Sequence, residues 1–177
     1  MMDAMLAVVK RFHELPNADK ASFYSDDARR RVDPREIPSW RDQVREYVKY
    51  MIELREVIRE LLSEALGLRR DYLSSMECMK SRSLACLYYP KCPEPNKTLG
   101  SSKHSDVTFL TLFMQDSIGG LQILHQDQWV DVPPVRGALV ADIGDLMQII
   151  RNDKFISVEH RVLAQSVGPR ISAFICY

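Results

Sequence analysis

Apolar residues recur at helical spacing through the first third of the chain and at strand spacing through the rest. Met5, Val8, Val9, Phe12 and Leu15 fall three and four apart, which predicts a helix over residues 5–15. Pro16 ends it, having no N–H for the ladder, and Asn17 is placed to cap a short second helix running through Ala21 and Tyr24. Residues 25–38 are charged and broken by Pro34 and Pro38, and read as a solvated connection rather than a basic phosphate site. Ser39 then stands as the cap of a long helix, with Asp42 as its capping-box partner. Its apolar stripe is Val44, Tyr47, Val48, Met51, Leu54, Ile58, Leu61, Leu62 and Ala65, and Gly67 closes it. Such a stripe predicts packing against a sheet, with a partner-binding face as the lesser alternative. A helical turn is expected over 71–76.

From Ser83 onward short runs of β-branched and aromatic residues alternate with Pro and Gly. Strands are predicted near 83–89, 107–114, 120–125, 128–131, 138–142, 155–164 and 170–176. Within the second, Thr108, Leu110 and Leu112 oppose Phe109, Thr111 and Phe113, as two faces of a sandwich strand should. Many short strands without βαβ alternation predict a jelly-roll type double sheet, an α+β chain that is mainly β.

Composition narrows the picture only a little. At 177 residues the chain is one domain's worth, and 24 basic residues balance 24 acidic ones, so no net field draws it to nucleic acid or anionic membrane. No stretch approaches the roughly 20 apolar residues of a membrane span. The start, Met1-Met2-Asp3-Ala4-Met5, is apolar but short and acidic, unlike a targeting peptide. Cys78, Cys86, Cys92 and Cys176 lack paired metal spacing, which reads as reduced thiols in the cytoplasm.

The candidate chemistry lies in Lys103-His104-Ser105-Asp106 and, far downstream, His160. Two imidazoles and a carboxylate form the three-ligand face that a non-haem Fe(II) takes, leaving the opposite face open. His104 and Asp106 can reach one metal if Asp106 sits just past a strand end; alone, the pair equally suits a solvated turn with an unrelated core histidine. Arg170 and Ser172 share one face of the strand-like run Gly168-Pro169-Arg170-Ile171-Ser172-Ala173-Phe174. A cation there needs a partner, and a dicarboxylate held by guanidinium and hydroxyl would be one.

Residues 83–177 resemble the catalytic half of plant 2-oxoglutarate- and Fe(II)-dependent dioxygenases, in the aminocyclopropane-carboxylate-oxidase-like branch. The matching words are Tyr88-Tyr89-Pro90-x-Cys92-Pro93-x-Pro95, Leu99-Gly100, His104-x-Asp106, Gly119-Gly120-Leu121-Gln122, Gln128-Trp129-Val130, Gly144-Asp145, Ser157-x-x-His160-Arg161-Val162 and Arg170-x-Ser172. The resemblance implies a double-stranded β-helix core with N-terminal helices on one outer face. It also implies iron ligands His104, Asp106 and His160. 2-Oxoglutarate would be anchored by Arg170 and Ser172, with Tyr89 donating a phenolic hydrogen bond; packing beside Tyr88 is the other reading of Tyr89. The implied reaction hydroxylates a small, largely apolar plant metabolite with O₂, releasing succinate and CO₂, with ascorbate as reductant. Ethylene formation from aminocyclopropane carboxylate is the alternative within the fold, weakened because the basic C-terminal residues of that branch are absent. A shortened chain that binds metal without turnover is the alternative outside it.

Against the family pattern, residues 1–82 read as a shortened helical segment that starts late and skips an insert near Val32–Asp33. Residues 83–177 read as a core without the usual C-terminal tail. The expectation is a monomer whose open pocket and uncovered apolar surface favour self-association. Leu87 stands where Asn or His is common, and Asp142 where Asn is common. A buried extra carboxylate would need a partner or a raised pKa. His125 has no ligand spacing with the other three residues and is expected at a hairpin end, and Asp145 as a turn cap.

Overall fold

The computed structural model describes residues 1–27, 37 and 40–177. Helix α1 spans Met2–His13, and Pro16 precedes the single turn α2, Asn17–Lys20. Asn17 therefore opens α2 instead of capping it, and no side chain caps that end. Helix α3 runs Arg41–Ala65 from a cap at Trp40, again with no side-chain cap bond; the predicted cap, Ser39, lies outside the described residues. Its C-terminus closes as a Schellman motif. Gly67 takes φ +71°, its N–H donates to Glu64 O at 2.9 Å, and Leu68 N–H donates to Ser63 O at 3.0 Å. The turn α4 spans Tyr72–Ser75.

The stripe on α3 is buried at Val44, Tyr47 and Met51, but Leu61 is exposed and Arg59 and Ser63 are buried instead. The reason lies in α4. Ser63 Oγ accepts from Leu73 N at 3.3 Å, and Arg59 donates to Cys78 O at 3.2 Å while pairing with Glu56. These polar residues satisfy the backbone of the returning chain, a use that hydrophobic periodicity does not report.

Eight strands follow: β1 Ser83–Tyr89, β2 Leu99–His104, β3 Leu110–Gln115, β4 Leu121–His125, β5 Gln128–Asp131, β6 Val140–Ile143, β7 His160–Leu163 and β8 Arg170–Cys176. A six-residue helix, α5 Asp145–Ile150, separates β6 from β7. They form two four-stranded sheets, ordered β1-β8-β3-β6 and β2-β7-β4-β5, with every pairing antiparallel. The prediction gave no strand at β2 and no helix at α5, and it overextended β3 and β7. Residues 107–109 and 155–159 lie outside any strand.

Alternation on β3 and β8 builds two different interiors. Leu110, Leu112 and Met114, with Ile171, Ala173 and Ile175, are buried on the outer face and belong to one core with Met5, Val8, Val9, Tyr47 and Met51 of the helices. Each large side chain buried there contributes about 1.5–3 kcal/mol. Tyr177 extends this core, donating its hydroxyl to Met51 O at 2.9 Å. The helices thus cover one outer face, and the opposite faces of β3 and β8 look toward the second sheet.

All four cysteines are free. Burial pushes the Cys86 thiol up to about 12, which withholds the nucleophilic thiolate. Iodoacetamide at about pH 8 should therefore modify Cys86 only after denaturation, as read by mass spectrometry of native and unfolded samples. Rapid native labelling at Cys86 would contradict the raised pKa of this half-buried thiol.

Candidate metal and cosubstrate site

His104 is the last residue of β2 and pairs directly with His160, the first of β7. Pairing between these strands shifts register between Leu99 and Ser101 and again between Ser101 and His104, so a strand of small polar residues still delivers its histidine opposite His160. The ring centroids are 4.3 Å apart. Asp106 sits two residues past the strand end, its Oδ1 3.9 Å from His104 Nε2 and 3.8 Å from His160 Nε2. One ligand atom from each of the three lies within 4.8 Å of the others.

The far atoms of these groups are occupied in a way that frees the near ones. His104 Nδ1 lies 2.7 Å from Ser102 O, and His160 Nδ1 lies 3.3 Å from Val158 O. A carbonyl can only accept, so each Nδ1 carries the proton and each Nε2 presents its lone pair to the centre. Asp106 Oδ2 accepts from Thr111 Oγ1. Two neutral imidazoles and one carboxylate oxygen can hold a divalent first-row metal with positions left over.

The Asp106 segment is clamped by the corner between β6 and α5. Asp145 N–H donates to Asp106 O at 2.8 Å, Leu146 N–H to Thr108 O at 3.2 Å, and Gly144 N–H to Phe109 O at 3.2 Å. Ser105 Oγ donates to Asp145 Oδ2 at 3.2 Å. Asp145 thus braces the Asp106 loop through its backbone and side chain, more than the simple turn cap predicted for it. Lys103 and Glu159 pair at 2.8 Å beside the two histidines; the pair is exposed and contributes about 1 kcal/mol or less.

Between the sheets lies a cavity of about 400 Å³. Its walls are apolar, chiefly Phe113, Leu121, Ile123, Val140, Val162 and Phe174, with His104, Asp106 and His160 opening into it. Tyr89 and Leu87 line it from β1, where they pair with Arg170 and Ser172 of β8, so all four side chains share the inward face. Arg170 is 1% exposed and Ser172 fully buried. The guanidinium donates through Nε to Gly119 O at 2.6 Å, and through its two terminal nitrogens to Ser172 Oγ at 3.4 Å and Gln115 Oε1 at 3.2 Å. Tyr89 lies over it at 5.0 Å and Phe113 at 5.7 Å.

Among the described residues no carboxylate comes within ion-pairing distance of Arg170. Burial pushes its pKa down, opposed by Tyr89 and Asp116. Burial also pushes the Tyr89 phenol up, against the pull of Arg170. The lining of the cavity includes Tyr89 but neither Arg170 nor Ser172, so Tyr89 stands between them and the open space.

The six residues expected at the site fall into two groups on the inner faces: His104, Asp106 and His160 at one, Tyr89, Arg170 and Ser172 at the other. His125 lies apart at the exposed tip of the β4–β5 hairpin, beside Gln126 and Asp127 with φ of 49° and 59°. Leu87 adds apolar wall. Asp142 pairs across β6 with Thr111, and its Oδ2 is buried without a hydrogen-bond partner. Burial pushes that carboxyl up to about 6; His160 and His104 oppose the rise, and Asp106 and Asp145 add to it. Thr111, placed by the sequence only on a strand face, and Gln115 were not among the expected site residues. Their one signal is that they share the face of Phe113 on an alternating strand.

Two four-stranded antiparallel sheets enclosing a cavity, with helices on one outer face, define a double-stranded β-helix of the oxygenase type. The 2OG-Fe(II) oxygenase superfamily model matches residues 80–177, and the chain belongs to that family. It is 61% identical over 140 residues to 1-aminocyclopropane-1-carboxylate oxidase homolog 11 of Arabidopsis thaliana, a match covering 78% of this chain and 38% of that protein. It is 44% identical over 208 positions to deacetoxyvindoline 4-hydroxylase of Catharanthus roseus, covering 100% of this chain and 52% of the relative. That alignment is longer than the chain's 177 residues, so the relative carries segments inside the match that this chain lacks. The crystal structure of JOX2 in complex with 2OG, Fe and JA superposes with a TM-score of 0.87 at 27% identity, over 99% of this chain and 63% of that one. The chain spans about half the length of the curated relatives it matches, or less. Among the described residues no helix is long and apolar enough to cross a membrane.

Proposed function

We propose that the chain holds Fe(II) through His104, Asp106 and His160, binds 2-oxoglutarate with its far carboxylate toward Arg170, Ser172 and Tyr89, and hydroxylates a small apolar molecule. The balance is one 2-oxoglutarate, one O₂ and one C–H bond giving succinate, CO₂ and a hydroxyl on the former C–H carbon. Iron, when bound, would supply the coupling of O₂ reduction to cosubstrate decarboxylation; ascorbate, outside that balance, would serve as reductant to keep the metal ferrous. The protein's part is positional. Carbonyls at Ser102 and Val158 set the imidazole tautomers, Thr111 aims Asp106, and the apolar walls keep water from the reacting carbon.

The observation that carries this reading is the convergence of three donor atoms on a cavity whose far wall hides an arginine without an acidic partner. Ethylene formation from aminocyclopropane carboxylate is the weaker reading. Among the described residues no lysine or arginine lines the cavity, so a zwitterionic substrate's carboxylate has no cation there. Titration with Mn(II), followed by electron paramagnetic resonance, tests the metal assignment. His160→Ala should weaken binding at least about tenfold, while His125→Ala should leave it unchanged. Equal losses in the two variants would refute it. Succinate release with Fe(II), 2-oxoglutarate and ascorbate, across a panel of apolar plant metabolites, then tests the reaction.

A further inference from the structure

The two histidines are not held alike. His104 Nδ1 has a full hydrogen bond at 2.7 Å to a backbone carbonyl, whereas His160 Nδ1 stands 3.3 Å from Val158 O, long for such a bond. On the other side of His160 lies a carboxylate. Asp142 Oδ2 is 3.7 Å from the same Nδ1, is buried, and has no hydrogen-bond partner of its own. A buried carboxylate oxygen without a donor is an unfinished arrangement. A polar hydrogen within reach of it is the one on His160 Nδ1.

The register explains how the carboxylate comes to be there. Thr111 of β3 and Asp142 of β6 are direct partners in one sheet, and both line the cavity. Thr111 reaches Asp106, and Asp142 faces His160, so one cross-strand pair addresses two of the three candidate ligands. A metal on Nε2 withdraws electron density from the ring and makes Nδ1–H a stronger donor. A charge-assisted bond of about 2.8 Å would then need a closure of about 0.9 Å.

We infer that Asp142 is a positioning residue: its carboxylate takes over from Val158 O as acceptor of the His160 Nδ1–H when metal is bound, fixing the ring's orientation. The inference rests on the metal reading proposed above and adds to it which side chain supports His160. It sets His160 apart from His104, whose support is backbone alone, and it gives a polar role to a half-buried residue whose Oδ2 otherwise has no hydrogen-bond partner.

Co(II) is the probe, since it binds such donor sets and shifts the imidazole N–H protons far outside the normal NMR range. Three proteins are compared: the parent chain, Asp142→Asn, which keeps an acceptor oxygen, and Asp142→Leu, which does not. Asp142→Leu should bind Co(II) at least about tenfold more weakly, with the metal-free protein no less heat-stable than the parent, and Asp142→Asn should recover most of the affinity. In Asp142→Asn the shifted N–H resonance of His160 should move while that of His104 stays. A purely structural role would lower metal-free stability and move neither resonance alone. Parent-like Co(II) affinity in Asp142→Leu overturns the inference, as do two unmoved resonances in Asp142→Asn, a reading that stands even if the Leu variant does not fold. Failure of the parent itself to bind Co(II) would overturn the metal reading and this inference together, whereas parental binding that His160→Ala abolishes and Asp142→Leu spares overturns only the inference.

Discussion

Gly144→Ala is expected to weaken divalent-metal binding by tenfold or more and to destabilise the fold by roughly 2 kcal/mol or more, although Gly144 is not one of the three candidate ligands. A Cβ built there would sit 1.9 Å from Thr108 O, 2.6 Å from Thr108 C and 2.9 Å from Asp106 O. These are backbone atoms, so no side chain can swing aside; the 106–108 segment or the α5 corner must move. Three backbone hydrogen bonds join residues 106–109 to that corner, and one of them holds the carbonyl of Asp106 itself. The Asp106 carboxylate would be displaced along with its backbone. Gly67→Ala is the control. It has nothing within 4 Å of its added Cβ, but its φ of +71° is unfavourable to alanine. That variant should lose about 1 kcal/mol of stability and no metal affinity. Urea melts and Co(II) titrations of both variants measure the difference. Parental metal affinity in Gly144→Ala would mean that the clamp does not set Asp106.

That clamp also marks where the sequence stopped being legible. The words around it were plain, since His104-x-Asp106 and Gly144-Asp145 stand out in the chain, but their connection was not. Leu99-Gly100-Ser101-Ser102-Lys103-His104 has no apolar alternation, so nothing in it announces a strand. It is held as one by pairing with β7 across two register shifts. Asp145–Ile150 is six residues long, too short to display a helical period, and only Met147 is buried while Leu146, Ile149 and Ile150 face outward. By contrast the outer core could be read directly. Leu110, Leu112 and Met114 alternate with Thr111, Phe113 and Gln115 because one face meets the helices and the other the cavity, and period-two patterning records that division. The long helix showed the limit from the other side. Its stripe was right at Val44, Tyr47 and Met51 and failed at Leu61, where burial passes to Arg59 and Ser63 to satisfy the carbonyl and N–H of a neighbouring turn. Asp142 was visible as a departure from a family pattern, but that its carboxylate faces His160 is a fact of register, which sequence does not carry.

Arg170→Leu is expected to raise the apparent 2-oxoglutarate constant at least tenfold, about 1.4 kcal/mol or more, while leaving metal affinity unchanged. Arg170 is buried to 1% exposure among neutral acceptors: Gly119 O, Ser172 Oγ and Gln115 Oε1. A guanidinium stays charged at any pH at which the protein is handled, so its burial is a standing penalty in the ligand-free fold. The depressed pKa has that sign, with burial as its largest cause. An anion on the inner face would offset the penalty, and a dicarboxylate reaching past Tyr89 would form the charge-assisted bond that neutral acceptors cannot. Removing Arg170 therefore removes a penalty and an anchor together. The ligand-free midpoint should change little, because the lost charge burial and the acceptors left behind at Gly119 and Gln115 act in opposite directions. The stabilisation that 2-oxoglutarate confers on the Mn(II)-loaded protein should fall with the affinity. Arg170→Lys should lie between, keeping the charge and losing the planar fork. Calorimetric titration and thermal melts with and without cosubstrate measure all three proteins. Undiminished 2-oxoglutarate binding in Arg170→Leu would show that the arginine serves the fold alone, and that the cosubstrate's far carboxylate is held elsewhere on the inner faces.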